Sequence, residues 1–240
     1  VDNQPYGNFL AEVKKNIFTK HPYRWATIGS MSHLDAATLG EFQAFNKKFY
    51  VPNNAVLVVA GDFKNEQAKG WIQKYFGPIK KGAAIQREVF VEEPITQTIK
   101  ARFEDTNIQI PAIVAAYRTP SMKTRDARVL DLISSILSDG KSSRLYKKIV
   151  DDKKMALQIG AFSNSQEDYG SYIIYGLPQA PNTAENILAE IDAEIVNLQT
   201  ELISEKDLQK LQNKFENQYV NSNSTIDGIA DNLATYHLLY

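Results

Sequence analysis

The sequence predicts an α+β protein in which helices cover one face of a largely antiparallel sheet. Three observations carry this. Beyond about residue 95 the hydrophobic periodicity runs β, β, α, α, β, β, α, α, a grouping of like elements rather than the strict alternation of a parallel α/β sheet. Residues 108–117 alternate apolar and polar with period two, as a half-covered strand does. Ile187, Leu188, Ile191, Ile195 and Leu198 form one apolar stripe at helical spacing, which needs a sheet or another helix to cover it.

Taken in order, the first third reads helix, loop, helix, strand, helix. Phe9, Val13 and Ile17 share one face of a short helix that stops before His21-Pro22. Residues 34–50 carry Leu39, Phe42, Phe45 and Phe49 at helical spacing, and Pro52 forbids continuation. AVLVVA at residues 55–60 is a continuous apolar run closed by Gly61-Asp62, the pattern of a strand buried on both faces. Residues 67–76 then predict a helix ending at Gly77-Pro78. From 77 to 94 the composition shifts to Gly, Lys and Glu, which places a linker at 83–94 between domains at 1–82 and 95–240. In the second domain, 96–103 and 108–117 read as strands, 123–137 and 142–150 as helices, and 157–163 and 171–177 as strands. The rest is helical, with Leu208, Leu211, Phe215 and Tyr219 on one stripe and Ser204 with Asp207 as its cap.

Composition narrows the function. The 240 residues are 43% hydrophobic and 23% charged, which is ordinary for a globular chain able to bury a core. The formal net charge of -1 creates no field that would draw nucleic acid, so no nucleic-acid partner is expected. Cysteine is absent, which excludes disulfides, thiol catalysis and cysteine zinc sites. No apolar run approaches the ~20 residues of a membrane span, and the first residues, VDNQPYG, lack the pattern of a signal peptide.

Motifs with self-sufficient chemistry are missing. Gly140-Lys141-Ser142 resembles the end of a phosphate-binding loop. Ser135 stands where the first glycine belongs, however, and the preceding residues have helical rather than strand spacing, so a nucleotide site is not expected. Neither His21, His33 nor His237 has a second histidine or a glutamate four residues away to make a ligand pair on one helix face. There is no G-x-S-x-G elbow, and the adjacent pairs Glu92-Glu93 and Asp151-Asp152 read as solvated surface. Gly140 is expected to break helix from helix so that Ser142 caps the next one, with Arg144 in an internal ion pair.

Four phrases together carry a resemblance: HPYRWATIGSMSHL at 21–34, FYVPNNAVLVVAGDF at 49–63, KYFGPIKKG at 74–82, and SSILSDGKSSRLYKKIVDDKKMALQIGAF at 134–162. In this order they resemble the pitrilysin or insulinase (M16) type of zinc metallopeptidase, over nearly the whole chain. The resemblance implies a half-enzyme of two similar domains of mainly antiparallel sheet covered by helices, the first of them truncated. Two such halves enclose a chamber in which peptides are cut. It also implies that zinc in the parent is held by an inverted H-x-x-E-H helix and a downstream glutamate, the motif glutamate acting as general base.

This chain has no H-x-x-E-H. The expectation is therefore no catalytic and no metal-binding residue here, with zinc only in the parent enzyme and no activity of this chain alone. The family's substrate-holding Arg and Tyr correspond to Val150 and Leu157, neither of which can donate a hydrogen bond to a peptide carbonyl. Gly140, Ser142, Ser143 and Arg144 match the family's turn facing the chamber, with Arg144 the one able to make charge-assisted contacts. His21 and Tyr23 match an architectural loop. The implied partners are a second M16-type half and a peptide substrate. The implied compartment, taken from bacterial relatives, is the periplasm. The alternative is a non-catalytic M16-like scaffold half that completes a chamber or assembly. Missing opening strands predict an exposed sheet edge and self-association.

Overall fold

Strand β3, Tyr169–Pro178, is the centre of the sheet: Ser171, Ile173 and Ile174 are all but completely buried. The computed structural model of the chain describes residues 4–240. β3 pairs antiparallel on one side with β1, Ile113–Pro120, and on the other with β2, Ala156–Asn164, so the sheet order is β1-β3-β2. Register sets which face each residue serves. Ala115 and Ala161 flank Ile174, and Tyr117 and Ser163 flank Tyr172, so one row of side chains points to the helices. The two alanines leave room there for the large residue between them.

Two helices cover that face. α5, Arg125–Ser138, is capped by Thr124 and buries Ala127 and Leu137; α6, Ala184–Thr200, is capped by Thr183 in a capping box with Asn186 and buries Ile187 and Ile191. Ile187, Ile191, Leu137, Leu145, Ile149, Ile159 and Ile174 form one cluster, with Ile195 and Leu198 packed against it. The predicted stripe on α6 is thus the stripe that is buried. The opposite face meets α1, Phe9–Ile17, through Phe9, whose ring centroid lies 6.4 Å from that of Tyr175. An α+β layer of helices on a small antiparallel sheet is the architecture, as the periodicity predicts.

The chain divides into two compact units. One holds the residues up to Trp25 together with Val91–Phe215 and contains the sheet; the other holds Ala26–Phe90 and Glu216–Tyr240. Within the second lie α2, Met31–Ala36, α3, Leu39–Phe49, α4, Asn65–Phe76, and α8, Ile226–Leu239. Among its described residues only Ala68 is buried. α7, Glu205–Ser222, starts from the Ser204 cap, whose hydroxyl accepts from the Asp207 N–H at 3.1 Å.

Several local expectations are corrected. Residues 55–60 have no ladder partner among the described residues and alternate exposed and half-buried, because an apolar run becomes a strand only when another strand supplies its hydrogen bonds. Residues 96–103 are likewise exposed and unpaired, and the first strand of the sheet starts at Ile113 rather than 108. The single helix expected over 34–50 is two, because Thr38 makes a capping box with Glu41 and starts a new helix. Ser142 does not cap a helix: regular turns begin at Arg144 and widen into a π-helical segment, Tyr146–Asp152, closed by the Lys153 N–H on the Lys148 carbonyl at 3.1 Å. Lys154, at φ 50°, ends it, and the Met155 N–H returns to the Ile149 carbonyl at 2.8 Å.

Candidate functional site

Gly140 turns the chain out of α5 with φ 75°, a left-handed conformation for which glycine is suited, and the Ser143 N–H closes the turn on the Gly140 carbonyl at 3.1 Å. Its neighbours then take different roles. Ser142 is exposed and accepts a hydrogen bond from Lys210 Nζ at 2.8 Å. Ser143 is buried, and its hydroxyl has no partner among the described residues. Arg144 donates from Nη1 to Glu194 Oε1 at 3.2 Å, and Glu194 is itself buried on α6. Lys148 Nζ sits 3.5 Å from both Glu190 and Glu194. The hydrogen bond from Lys153 holds the Glu190 carboxyl below its ordinary range. Lys214 pairs with Asp139 and donates to Ser135 Oγ.

The turn is therefore tied to α6 by ion pairs and to α7 by two lysines. Beside it lies an open cleft of about 360 Å³ whose lining includes Ser142, Arg144, Lys147, Lys148 and Glu194. Of the four residues singled out in the sequence, Ser142 and Arg144 reach this cleft, while Gly140 and Ser143 do not line it. Three cationic and three anionic side chains line it, so it carries no net charge to select a ligand by sign. Val150 packs against the core and Leu157 is 51% exposed on β2.

A second cluster corrects the reading of Glu92 as solvated linker. Its side chain is 1% exposed. The carboxylate accepts from the backbone N–H groups of Thr19 at 2.9 Å, Lys20 at 2.7 Å and His21 at 2.6 Å, from the Thr19 hydroxyl at 2.9 Å, and from Arg118 Nη1 at 2.9 Å. Burial pushes this carboxyl up, yet the donors from His21, Lys20 and Thr19 outweigh it and hold it at about 2. Arg118 also donates to the Ile17 carbonyl at 2.9 Å and to the Glu93 carbonyl, and lies 5.8 Å from the centre of the Tyr169 ring. The Tyr169 hydroxyl accepts the Glu92 N–H at 3.1 Å.

Next to it His21 is buried, with Nδ1 accepting from the Tyr23 N–H at 3.2 Å and Nε2 at 3.2 Å from Asp168 Oδ2. Both rings pack on Phe18, so His21 and Tyr23 are held by the architecture of the loop. A carboxylate saturated by five donors and ionised down to very low pH is unsuited to accept a proton in catalysis. The cluster is structural chemistry. No local signal marks it: Glu92 and Glu93 read alike in sequence, and the N–H groups of residues 19–21 that Glu92 holds precede the helical turn at Pro22–Arg24.

Among the described residues no group of three or more His, Cys, Asp or Glu side chains is placed to hold a metal ion, and the two ring nitrogens of His21 are already directed at Tyr23 and Asp168. These residues do not fit a zinc site.

The family described as Peptidase M16 inactive domain matches residues 36–215. The sequence is 28% identical over 239 residues to the zinc protease PqqE of Helicobacter pylori, covering 98% of this chain and 53% of that protein. It is 23% identical over 202 residues to the uncharacterized zinc protease YmxG of Bacillus subtilis, covering 82% of this chain and 47% of that one. Among solved structures, a protease from Helicobacter pylori superposes with TM-score 0.82 at 24% identity, covering 98% of this chain and 57% of that one. A peptidase M16 inactive domain from Pseudomonas fluorescens superposes with TM-score 0.77 at 17% identity, covering 97% and 55%. The chain spans about half the length of the curated relatives it matches.

Proposed function

Because the chain belongs to the M16 peptidase family, through the portion described as its inactive domain, we propose that it is the non-zinc part of a metallopeptidase whose halves enclose a chamber. The observation that carries this is the family match over residues 36–215 in a chain without H-x-x-E-H and, among its described residues, without a metal-holding cluster. Zinc and the attacking water then belong to another part of the complete protein or to a partner half. This chain supplies wall and support. Peptides are the substrate class of the assembly, and the periplasm is the compartment in which we place it.

In this reading the sequence divides into domains at 1–82 and 95–240, and the Gly140, Ser142, Ser143 and Arg144 turn is part of the chamber wall. Arg144 has the ion pair with Glu194 as its support, and its guanidinium lies on the lining of the cleft. The second reading, a scaffold half of an assembly without proteolysis, is favoured by Val150 and Leu157, which offer no hydrogen bond at the positions matched to the family's substrate-holding pair. Unpartnered apolar helix faces at residues 26–90 support self-association, which light scattering tests.

The test is metal content and peptide hydrolysis measured together, for this chain alone, for the complete protein and for this chain mixed with a zinc-bearing M16 half. Zinc and cleavage are expected only where the H-x-x-E-H part is present. A metal-free, inactive complete protein would establish the scaffold reading.

A further inference from the structure

The polypeptide passes between its two compact units three times, at Trp25/Ala26, at Phe90/Val91 and within α7 at Phe215/Glu216. The first two passages share one feature. Residues 19–21, just before the first, and Glu92, just after the second, are bound to each other by the buried carboxylate, although more than seventy positions separate them in sequence. Arg24 Nη1 folds back on the Thr19 carbonyl at 2.8 Å, which closes the first end. Arg118 joins the Glu92 carboxylate, the Glu93 carbonyl and the Ile17 carbonyl, which fastens both ends to β1.

We infer that Glu92 is a pin: it fixes the two connections to residues 26–90 side by side on the sheet-bearing unit. The chemistry favours a pin over a flexible tie. Three consecutive N–H groups converge on one buried carboxylate, and each contact is charge-assisted, so all of them must break before either end can leave. A single exposed ion pair such as Lys20 with Glu93 would not do this, since solvent competes for it. The linker placed at 83–94 by composition is by this account two different things, a stretch to about residue 90 that belongs to the second unit and an anchored end from 91 to 94.

Amide hydrogen exchange with limited trypsin digestion tests the pin on the whole chain. In the wild type the amides of Thr19, Lys20 and His21 exchange at least about tenfold more slowly than those of residues 95–103, and trypsin cuts after Lys80 or Lys81 before it cuts after Lys20 or Arg24. In Glu92→Gln the slow exchange of these three amides is lost, and cleavage after Lys20 and Arg24 becomes as fast as at Lys80, while the amides of β3 keep their protection. Fast exchange at 19–21 in the wild type overturns the inference without any variant. So does a variant pattern unchanged from wild type. The double variant Glu92→Gln with Arg118→Met removes the unpaired guanidinium. Loss of protection throughout the sheet in both variants would overturn the inference as well, since Glu92 would then be holding the core and not the two connections.

Discussion

Protonating Glu92 should cost the fold about as much as removing a large core side chain. The folded state holds this carboxyl at about 2 against an ordinary value of 4.5. At ~1.4 kcal/mol for each pKa unit, the difference amounts to roughly 3 kcal/mol of stability. The side chain is almost wholly inaccessible, so solvent does not discount this figure. The folded value is the depressed one, so the stabilisation is complete above about 4.5 and is lost as the pH falls toward 2. By about pH 3 roughly 2 kcal/mol of it has gone. Glu92→Gln has no such titration. At neutral pH it should already be destabilised by about 3–5 kcal/mol, because Arg118 is left buried without its counter-charge. Urea denaturation of both proteins near pH 6 and near pH 3 isolates the term, since every other carboxylate titrates in both and cancels in the difference. The gap between wild type and variant should narrow by about 2 kcal/mol on acidification. Parallel pH dependences would refute the reasoning, and with it the claim that the ionised form is what the three N–H groups hold.

Other perturbations separate packing from site. Ile174→Ala, in the middle of β3 between Ala115 and Ala161, should cost about 2–5 kcal/mol in chemical denaturation. Gly140→Ala meets no atom within 4 Å, so its cost is the left-handed backbone alone, about 1–2 kcal/mol; a larger loss would mean the turn is more tightly enclosed than its exposure shows. Arg144→Met leaves Glu194 with Lys148 and should lower stability by no more than about 1–2 kcal/mol. If Arg144 also faces substrate, peptide cleavage by the complete enzyme falls beyond that, with the loss in KM more than in kcat.

The helices and the strands β2 and β3 were legible because their signals are local. Ser204 with Asp207 announces a cap, and Ile187 to Leu198 announce a face, whatever the rest of the chain does. Residues 55–60 mark the limit: they carry as good a strand pattern as β3, yet a ladder is a property of two segments and no second one lies beside them among the described residues. Glu92 was illegible for the same reason. Glu93 next to it has the same chemistry and is exposed, and only the convergence of residues 19–21 and Arg118 distinguishes the two. The Arg144 ion pair was readable as a type of contact, but its partner, fifty positions away, was not.

The π-helical turn at Tyr146–Asp152 bears on how this protein tolerates changes of length. Such a turn holds one residue more than an α-helical turn spanning the same rise. The surplus makes it the natural place for a one-residue deletion: the wide turn can close into an ordinary one while Leu145 and the residues from Met155 onward keep their positions. The same deletion in β2 would turn each following side chain to the opposite face, exchanging Ala161 and Phe162 between the face under α5 and α6 and the other face of the sheet. Chains of this fold that differ in length by one residue are therefore expected to differ here, at the edge of the cleft, where Lys147 and Lys148 would change direction without the core being redrawn.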